Sequence, residues 1–402
     1  MSNASVAAST SLWQTTTPKT SFLQLASDIT VDVAVVGGGI TGFTAALLLK
    51  QAGLSVAVIE ALAIGGGVTG HTTAHIAEVP DIGYQSLISN FGQEGALLAA
   101  QSRRAAIEQI ARFVQEEEIV CSFQRLPGYL YTESSEDVSY LEGEAIAASQ
   151  LGIPASLTKD VPLPFPIKEG ILFPNQAQFN SLEYLQGLAK AFSTSGGHIF
   201  EQTRVLNISG DSPYQLHTQR GSVTARQVIL ATHTPIHDIT SLQDLYLLST
   251  KIAPYRSYVL GVRLRSSPPP VGLFWDTQEP YHYTRTYVDP SAGEFLIVGG
   301  ADHKTGEKVD TQMSFQKLEV YVRSRFPVES IPYHWSAQWY EPVDGLPFIG
   351  KSFAHDQIYV ATGYSGNGIS FGTVSGMLIA DQILGRPNAW SELYDPNRIK
   401  PF

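Results

Sequence analysis

Val31-Asp-Val-Ala-Val-Val36 runs straight into Gly37-Gly-Gly39-Ile40-Thr41-Gly42, then Phe43-Thr-Ala-Ala-Leu-Leu-Leu-Lys50. The first six residues are a β-branched run without alternation, which suits a strand buried on both faces. From Thr41 to Gln51 the residues are good helix formers, Gly53 supplies a stop, and Ser55–Glu60 returns to strand composition. Strand, glycine turn, helix and strand within about 30 residues make one βαβ unit. In Gly37-x-Gly39-x-x-Gly42 the glycines permit a tight turn, close approach of backbone to a pyrophosphate and close helix–strand packing. The helix start at Ile40 and Thr41 offers free N–H groups to that negative charge. Glu60 closes the next strand about 20 residues on, where a carboxylate accepts hydrogen bonds from a ribose diol and repels a 2′-phosphate. The unit reads as a dinucleotide site that disfavours NADP.

A second glycine loop lies near the other end of the chain. Gln357-Ile-Tyr-Val-Ala-Thr362 is strand-like, Gly363-Tyr-Ser-Gly366-Asn367-Gly368-Ile369 follows, and a helix is expected over about Ser370–Leu384. A helix N-terminus stabilises nearby negative charge by roughly 0.3–2 kcal/mol. A reduced flavin develops such charge at its pyrimidine edge, so one FAD needs two helix ends where NAD needs one. The plain alternative for the second loop is a left-handed turn. No second GxGxxG follows a strand, which argues against a nicotinamide dehydrogenase.

The rest of the 402 residues narrows the options. A formal charge of −11 opposes nucleic acid and anionic membrane surfaces and favours a small-molecule partner. The single cysteine, Cys121, excludes an intramolecular disulfide, a cysteine-built zinc site and a cysteine-ligated iron–sulfur cluster. No window approaches the ~18 uninterrupted apolar residues of a membrane span. The Ser/Thr-rich first 28 residues lack the apolar core of an export signal, so the expected location is cytoplasmic.

Helix is expected near Gln93–Glu118 and Ser181–Ser193, and strand near His198–Ile208, Gln227–Thr232, Tyr255–Leu264, Tyr281–Tyr287 and Glu294–Val298. Residues 151–174 carry five prolines and read as a crossing between domains. The expected class is α/β: a Rossmann-like FAD-binding domain assembled from discontinuous segments, with an inserted β-sheet-rich α+β substrate domain. The boundaries are a 1–28 extension, a cofactor domain of 29–80, 170–240 and 336–402, and a substrate domain of 81–169 and 241–335.

Four stretches together resemble the D-amino-acid oxidase/glycine oxidase superfamily. They are Val35-Val-Gly-Gly-Gly-Ile-Thr-Gly42 with Glu60, Val228-Ile-Leu-Ala231-Thr232, Asp344-Gly345-Leu-Pro-Phe-Ile-Gly350, and Ala361-Thr-Gly363-Tyr-Ser-Gly366-Asn-Gly368. Gly67-Val-Thr69-Gly70-His71-Thr72-Thr73-Ala74 and the stretch from Trp335 to Pro347 are most similar to the branch often fused to a C-terminal Rieske domain. Here no Cys/His pairs follow before Phe402, which leaves the electron acceptor open among O2, a quinone and a redox protein. The resemblance implies an FAD-dependent enzyme that oxidises the C–N bond of a small amine or amino acid by hydride transfer to flavin N5. It places residues 61–75 along the flavin, with Thr69, Gly70, His71, Thr72, Thr73 and Ala74 at the cofactor. Val205, Ala231, Thr232, Gly345, Gly363 and the run from Gly366 to Ile369 complete that set. In the related dimethylglycine dehydrogenases a histidine in a similar context bonds covalently to the flavin; His71 has that spacing, and covalent and noncovalent attachment both stay open.

On Tyr281-His-Tyr283-Thr-Arg285-Thr-Tyr287, period 2 puts the tyrosines and Arg285 on one face, a surface able to hold an amine or carboxylate over the ring, or else an exposed tyrosine ladder. Amino-acid oxidases of the superfamily place a carboxylate-clamping arginine where Trp339 stands, so a simple α-amino acid is in doubt unless Arg285 takes over. Tyr283, Arg285 and Trp339 are therefore the candidate catalytic residues. His71 and His75, like His233 and His237, are four apart, but no third ligand stands in pattern and no metal is expected. His303 and Lys304 read as turn residues. A flavin-dependent dehydrogenase of a hydroxy acid or polyol, and a non-enzymatic FAD-binding protein, are the alternatives.

Overall fold

The computed structural model describes residues 10–234, 241–265, 270–307 and 310–398; His237, half of one of the histidine pairs, lies outside them. Among the described residues the strands form two sheets. The first runs Phe348–Lys351, Ile358–Thr362, Ser222–His233, Ile29–Val36, Val56–Ile59, His198–Phe200, with Asn207–Ser209 and Tyr214–His217 attached to Ser222–His233. Ile29–Val36 pairs in parallel with both Ser222–His233 and Val56–Ile59, so Val33, Ala34 and Val35 are fully buried, as their unbroken apolar run predicts. The helix Ile40–Gln51 covers this sheet and is itself covered by Gly368–Ile383. Gly376 allows that contact: a Cβ there would stand 2.5 Å from the Thr44 Cβ. The two glycine-loop helices thus lie side by side although more than 300 residues separate their starts.

The second sheet runs Val328–Pro342, Ile252–Leu264, Gly293–Lys304, Tyr283–Asp289, Leu273–Asp276, Gln124–Thr132, Glu169–Gln178, His75–Ile76, with Ser156–Thr158 on Glu169–Gln178. All its pairings are antiparallel except Leu273–Asp276 on Gln124–Thr132.

Sheet membership moves the expected domain boundaries. His75–Ile76, residues 170–178 and residues 336–342, assigned from sequence to the cofactor domain, belong to the second sheet, and one apolar core runs through both layers. The proline-rich stretch hid the strand Glu169–Gln178, because its exposed Pro174 sits where the ladder with Gln124–Thr132 shifts register and no N–H is needed there. The expected strand His198–Ile208 is two short strands, His198–Phe200 and Asn207–Ser209, separated where Gln202 turns left-handed at φ 50. The helix expected from Gln93 begins at Gly83 and is broken at Gly92 (φ 69), which is why only its second part has an unbroken pattern. The 1–28 extension contains the helix Leu12–Thr16, whose Leu12 and Trp13 are fully buried.

Candidate active site

A single cavity of about 870 Å³ joins the two glycine loops. Glu60, Arg204 and Val205 line one end, Gly37–Thr41 the middle, and Gly366–Ile369 with Tyr281, Tyr283 and Trp339 the other end. Neither helix start carries a side-chain cap: the N-caps are Gly39 and Asn367, and both line the cavity. Two uncapped N-termini on one elongated space leave backbone donors for a pyrophosphate and for the pyrimidine edge of a flavin, as FAD requires. Gly42 makes the first approach possible, since a Cβ on it would meet the Gly37 carbonyl oxygen at 2.1 Å. Glu60 accepts from Gly38 N–H and Leu62 N–H at 2.8 Å each, which fixes its carboxylate at the ribose end.

The wall between the two ends is the ribbon of residues 69–73. Five carbonyls in a row, those of Thr69, Gly70, His71, Thr72 and Thr73, each accept a hydrogen bond from a side chain remote in sequence. The donors are Ser181 Oγ (2.8 Å), Ser11 Oγ (2.5 Å), Trp335 Nε1 (2.8 Å), Trp13 Nε1 (2.6 Å) and Arg285 Nε (2.5 Å). Thr69, His71, Thr72 and Thr73 meanwhile line the cavity. The ribbon is held from behind so that its front is free for the cofactor. His75 extends this support. Its Nε2 lies 3.3 Å from the Thr284 carbonyl, which can only accept, so Nε2 carries the proton and Nδ1 accepts from the Thr73 hydroxyl at 3.1 Å. Burial and then the Arg285 charge push His75 down to about 3, keeping it neutral. Burial likewise takes His233 down to about 4.

Asn367 does not cap its own helix because its Oδ1 is taken by Arg103 Nη1 (2.8 Å) and Asp81 N–H (3.2 Å). Arg103 is fully buried and donates also to the carbonyls of Ala77, Glu78 and Val79. Asp81 in turn accepts from Gly366 N–H at 2.6 Å. Across the cavity Trp339 stacks on Tyr255 at 4.8 Å and donates to Ser257 Oγ at 2.8 Å. Burial raises the phenol pKa values of Tyr281 and Tyr283, so both stay protonated donors.

Of the residues expected at the cofactor, Gly37, Gly39, Ile40, Thr41, Glu60, Thr69, His71, Thr72, Thr73, Val205, Ala231, Thr232, Gly366, Asn367, Gly368 and Ile369 line the cavity. Gly42, Gly70, Ala74 and Gly363 lie outside its lining. Gly345 also lies outside it, turning at φ +86 against Ile82, and the neighbouring Asp344 pairs with Arg398. Tyr283 and Trp339 line the ring end, but Arg285 does not. Strand alternation puts Arg285 on the face of Tyr283, yet the ribbon covers that part of the face, so Arg285 is fully buried, donating to Thr73 and Phe179 carbonyls over the Trp13 ring. Asp81, Arg103, Trp13 and Ser181 carry no motif, because their partners are mostly backbone carbonyls or N–H groups remote in sequence. Among the described residues no group of three or more His, Cys, Asp or Glu side chains is placed to hold a metal ion, and no helix is long and apolar enough to cross a membrane.

Comparison with known proteins accords with this geometry. The family model described as DAO, FAD dependent oxidoreductase, matches residues 32–382. The Bacillus subtilis protein YhfW, named for a Rieske 2Fe-2S iron-sulfur centre, is 33% identical over 389 residues, covering 96% of this chain and 75% of that protein. The gamma-glutamylputrescine oxidoreductase of Escherichia coli is 24% identical over 376 residues, covering 90% and 86%. The crystal structure of glycine oxidase from Geobacillus kaustophilus superposes with a TM-score of 0.77 at 20% identity, covering 92% of this chain and all of that one. The two-sheet architecture is that of glycine oxidase, and the chain belongs to the DAO family of FAD-dependent oxidoreductases.

Proposed function

We propose that this oxidoreductase oxidises the C–N bond of a small amine. One observation carries the reading: the cavity that fits the cofactor continues without a break into a chamber walled by Tyr281, Tyr283 and Trp339, with Asp81 and Glu279 beside them. Bound FAD supplies the two-electron acceptor. The chain supplies position and charge. Aromatic faces and protonated phenols orient an amine, and the uncapped helix start at Asn367 would meet negative charge at the pyrimidine edge. His75 and His233 are neutral, so neither opposes a cation.

The test is anaerobic mixing of the FAD-loaded protein with a panel of amines, amino acids, hydroxy acids and polyols, following the visible flavin band. Bleaching by amines is the expected result. Bleaching by an alcohol but not by its amine analogue overturns it.

A further inference from the structure

We propose that the ring end of the cavity selects a diamine: an alkyl amine bearing a second, non-reacting ammonium and no carboxylate. The inference rests on the amine-oxidation reading and names its substrate class. Four carboxyl groups converge there. Asp81 and Glu279 line the chamber, Asp302 lies behind Ser257 and Trp339, and Glu341 follows two residues after Trp339 on the same strand face, beside Tyr255. Asp81 Oδ2 and the Tyr281 hydroxyl both stand 2.9 Å from where a Gly366 Cβ would be, so the carboxylate sits directly at the aromatic wall.

Only Asp81 has a cation close by, the buried Arg103. The single Arg or Lys among the described lining residues is Arg204, at the ribose end next to Val205. Arg103 offsets Asp81 from behind the wall, while its N–H groups are engaged by three carbonyls and Asn367, so it does not reach the chamber. Both oxygens of Asp302 are closed off from solvent, and neither has a well-formed hydrogen bond, the nearby polar groups being Ser257 and Trp339, the second of which donates to the first. A buried carboxylate among three others is costly unless a cation joins it. Its burial, reinforced by Asp81 and Glu279, pushes it up to about 7, and Glu341 is raised by burial and the same neighbours.

The chemistry divides the substrate in two. The nitrogen on the carbon being oxidised must be neutral when bound, with its lone pair free to stabilise the developing cation, so its binding gains little from four carboxylates. A second ammonium gains both the carboxylates and the faces of Tyr281, Tyr283 and Trp339. An α-carboxylate would enter the same field unpaired and be repelled.

The experiment uses the FAD-loaded full chain with 1,4-diaminobutane, butylamine and glycine, reading both ligand-induced perturbation of the flavin spectrum and anaerobic bleaching. The diamine should bind at least ~10-fold more tightly than butylamine, and glycine should not compete. Glu279→Gln with Glu341→Gln should weaken diamine binding ~10-fold or more and change butylamine binding less than about twofold, with flavin content unaltered. Glycine binding or bleaching as well as the diamine overturns the inference while leaving amine oxidation intact. Tight, glutamate-dependent diamine binding without bleaching by any amine upholds the cation site and overturns the reaction.

Discussion

Trp13 Nε1 donates to the Thr72 carbonyl at 2.6 Å, and through that bond the N-terminal helix becomes part of the cofactor wall. Trp13→Phe keeps the ring contacts with Tyr287 and Arg285 but removes the donor, leaving a carbonyl unpaired behind the ribbon. A loss of about 1–3 kcal/mol is expected. The FAD dissociation constant should rise roughly tenfold or more, measurable by recovery of free-flavin fluorescence on dilution; an unchanged constant means the ribbon does not need this tie.

Arg103→Met should lower thermal stability and flavin content together. The substitution orphans the carbonyls of Ala77, Glu78 and Val79 and frees Asn367, at about 1–3 kcal/mol for each buried carbonyl left unpaired. Arg103→Lys should recover part of the stability and little of the flavin affinity, because one ammonium cannot span the same fork. Equal recovery of both would show that Arg103 acts by charge alone.

Asp302 gives stability a pH dependence of known sign. Its folded value of about 7 lies above the ordinary 3.8, so the folded protein binds the extra proton between those values. Stability therefore falls as pH rises from about 4 to 7 on account of this group. Asp302→Asn should raise the melting temperature at pH 8, by a free energy on the order of 2–4 kcal/mol, and leave it nearly unchanged below pH 4. A melting temperature raised equally at both pH values counts against an ionised buried Asp302.

Gly42→Ala should give protein that cannot retain FAD. The new Cβ would fall 2.1 Å from the Gly37 oxygen, so helix and strand must separate where the pyrophosphate binds. Visible absorbance after gel filtration of the reconstituted variant checks it; a yellow variant would mean the turn can relax.

How far the sequence reaches follows from the range of the interactions. The βαβ unit and the Gly363–Gly368 loop are legible because strand, turn and helix signals lie within a few residues of one another, and both meet at one cavity as FAD demands. Tyr283 and Trp339, singled out by alternation and by a departure from a familiar pattern, line the ring end of the cavity. Arg285 is not, since alternation fixes a face and not what covers it. The covering segment is more than 200 residues away in sequence. The ribbon's donors illustrate the same limit: a serine at 11 or a tryptophan at 335 carries no local sign that it will bond a carbonyl near residue 70.

Those donors also set an order of events at the ribosome. Since the ribbon of residues 69–73 draws its donors from as far as Trp335, and the second helix start lies at Asn367, a nascent polypeptide halted short of residue 335 should hold the coenzyme poorly, however complete its first βαβ unit. Loading with FAD is then a late checkpoint on translation of nearly the whole gene product, and acquisition of colour reports that the distant halves have met.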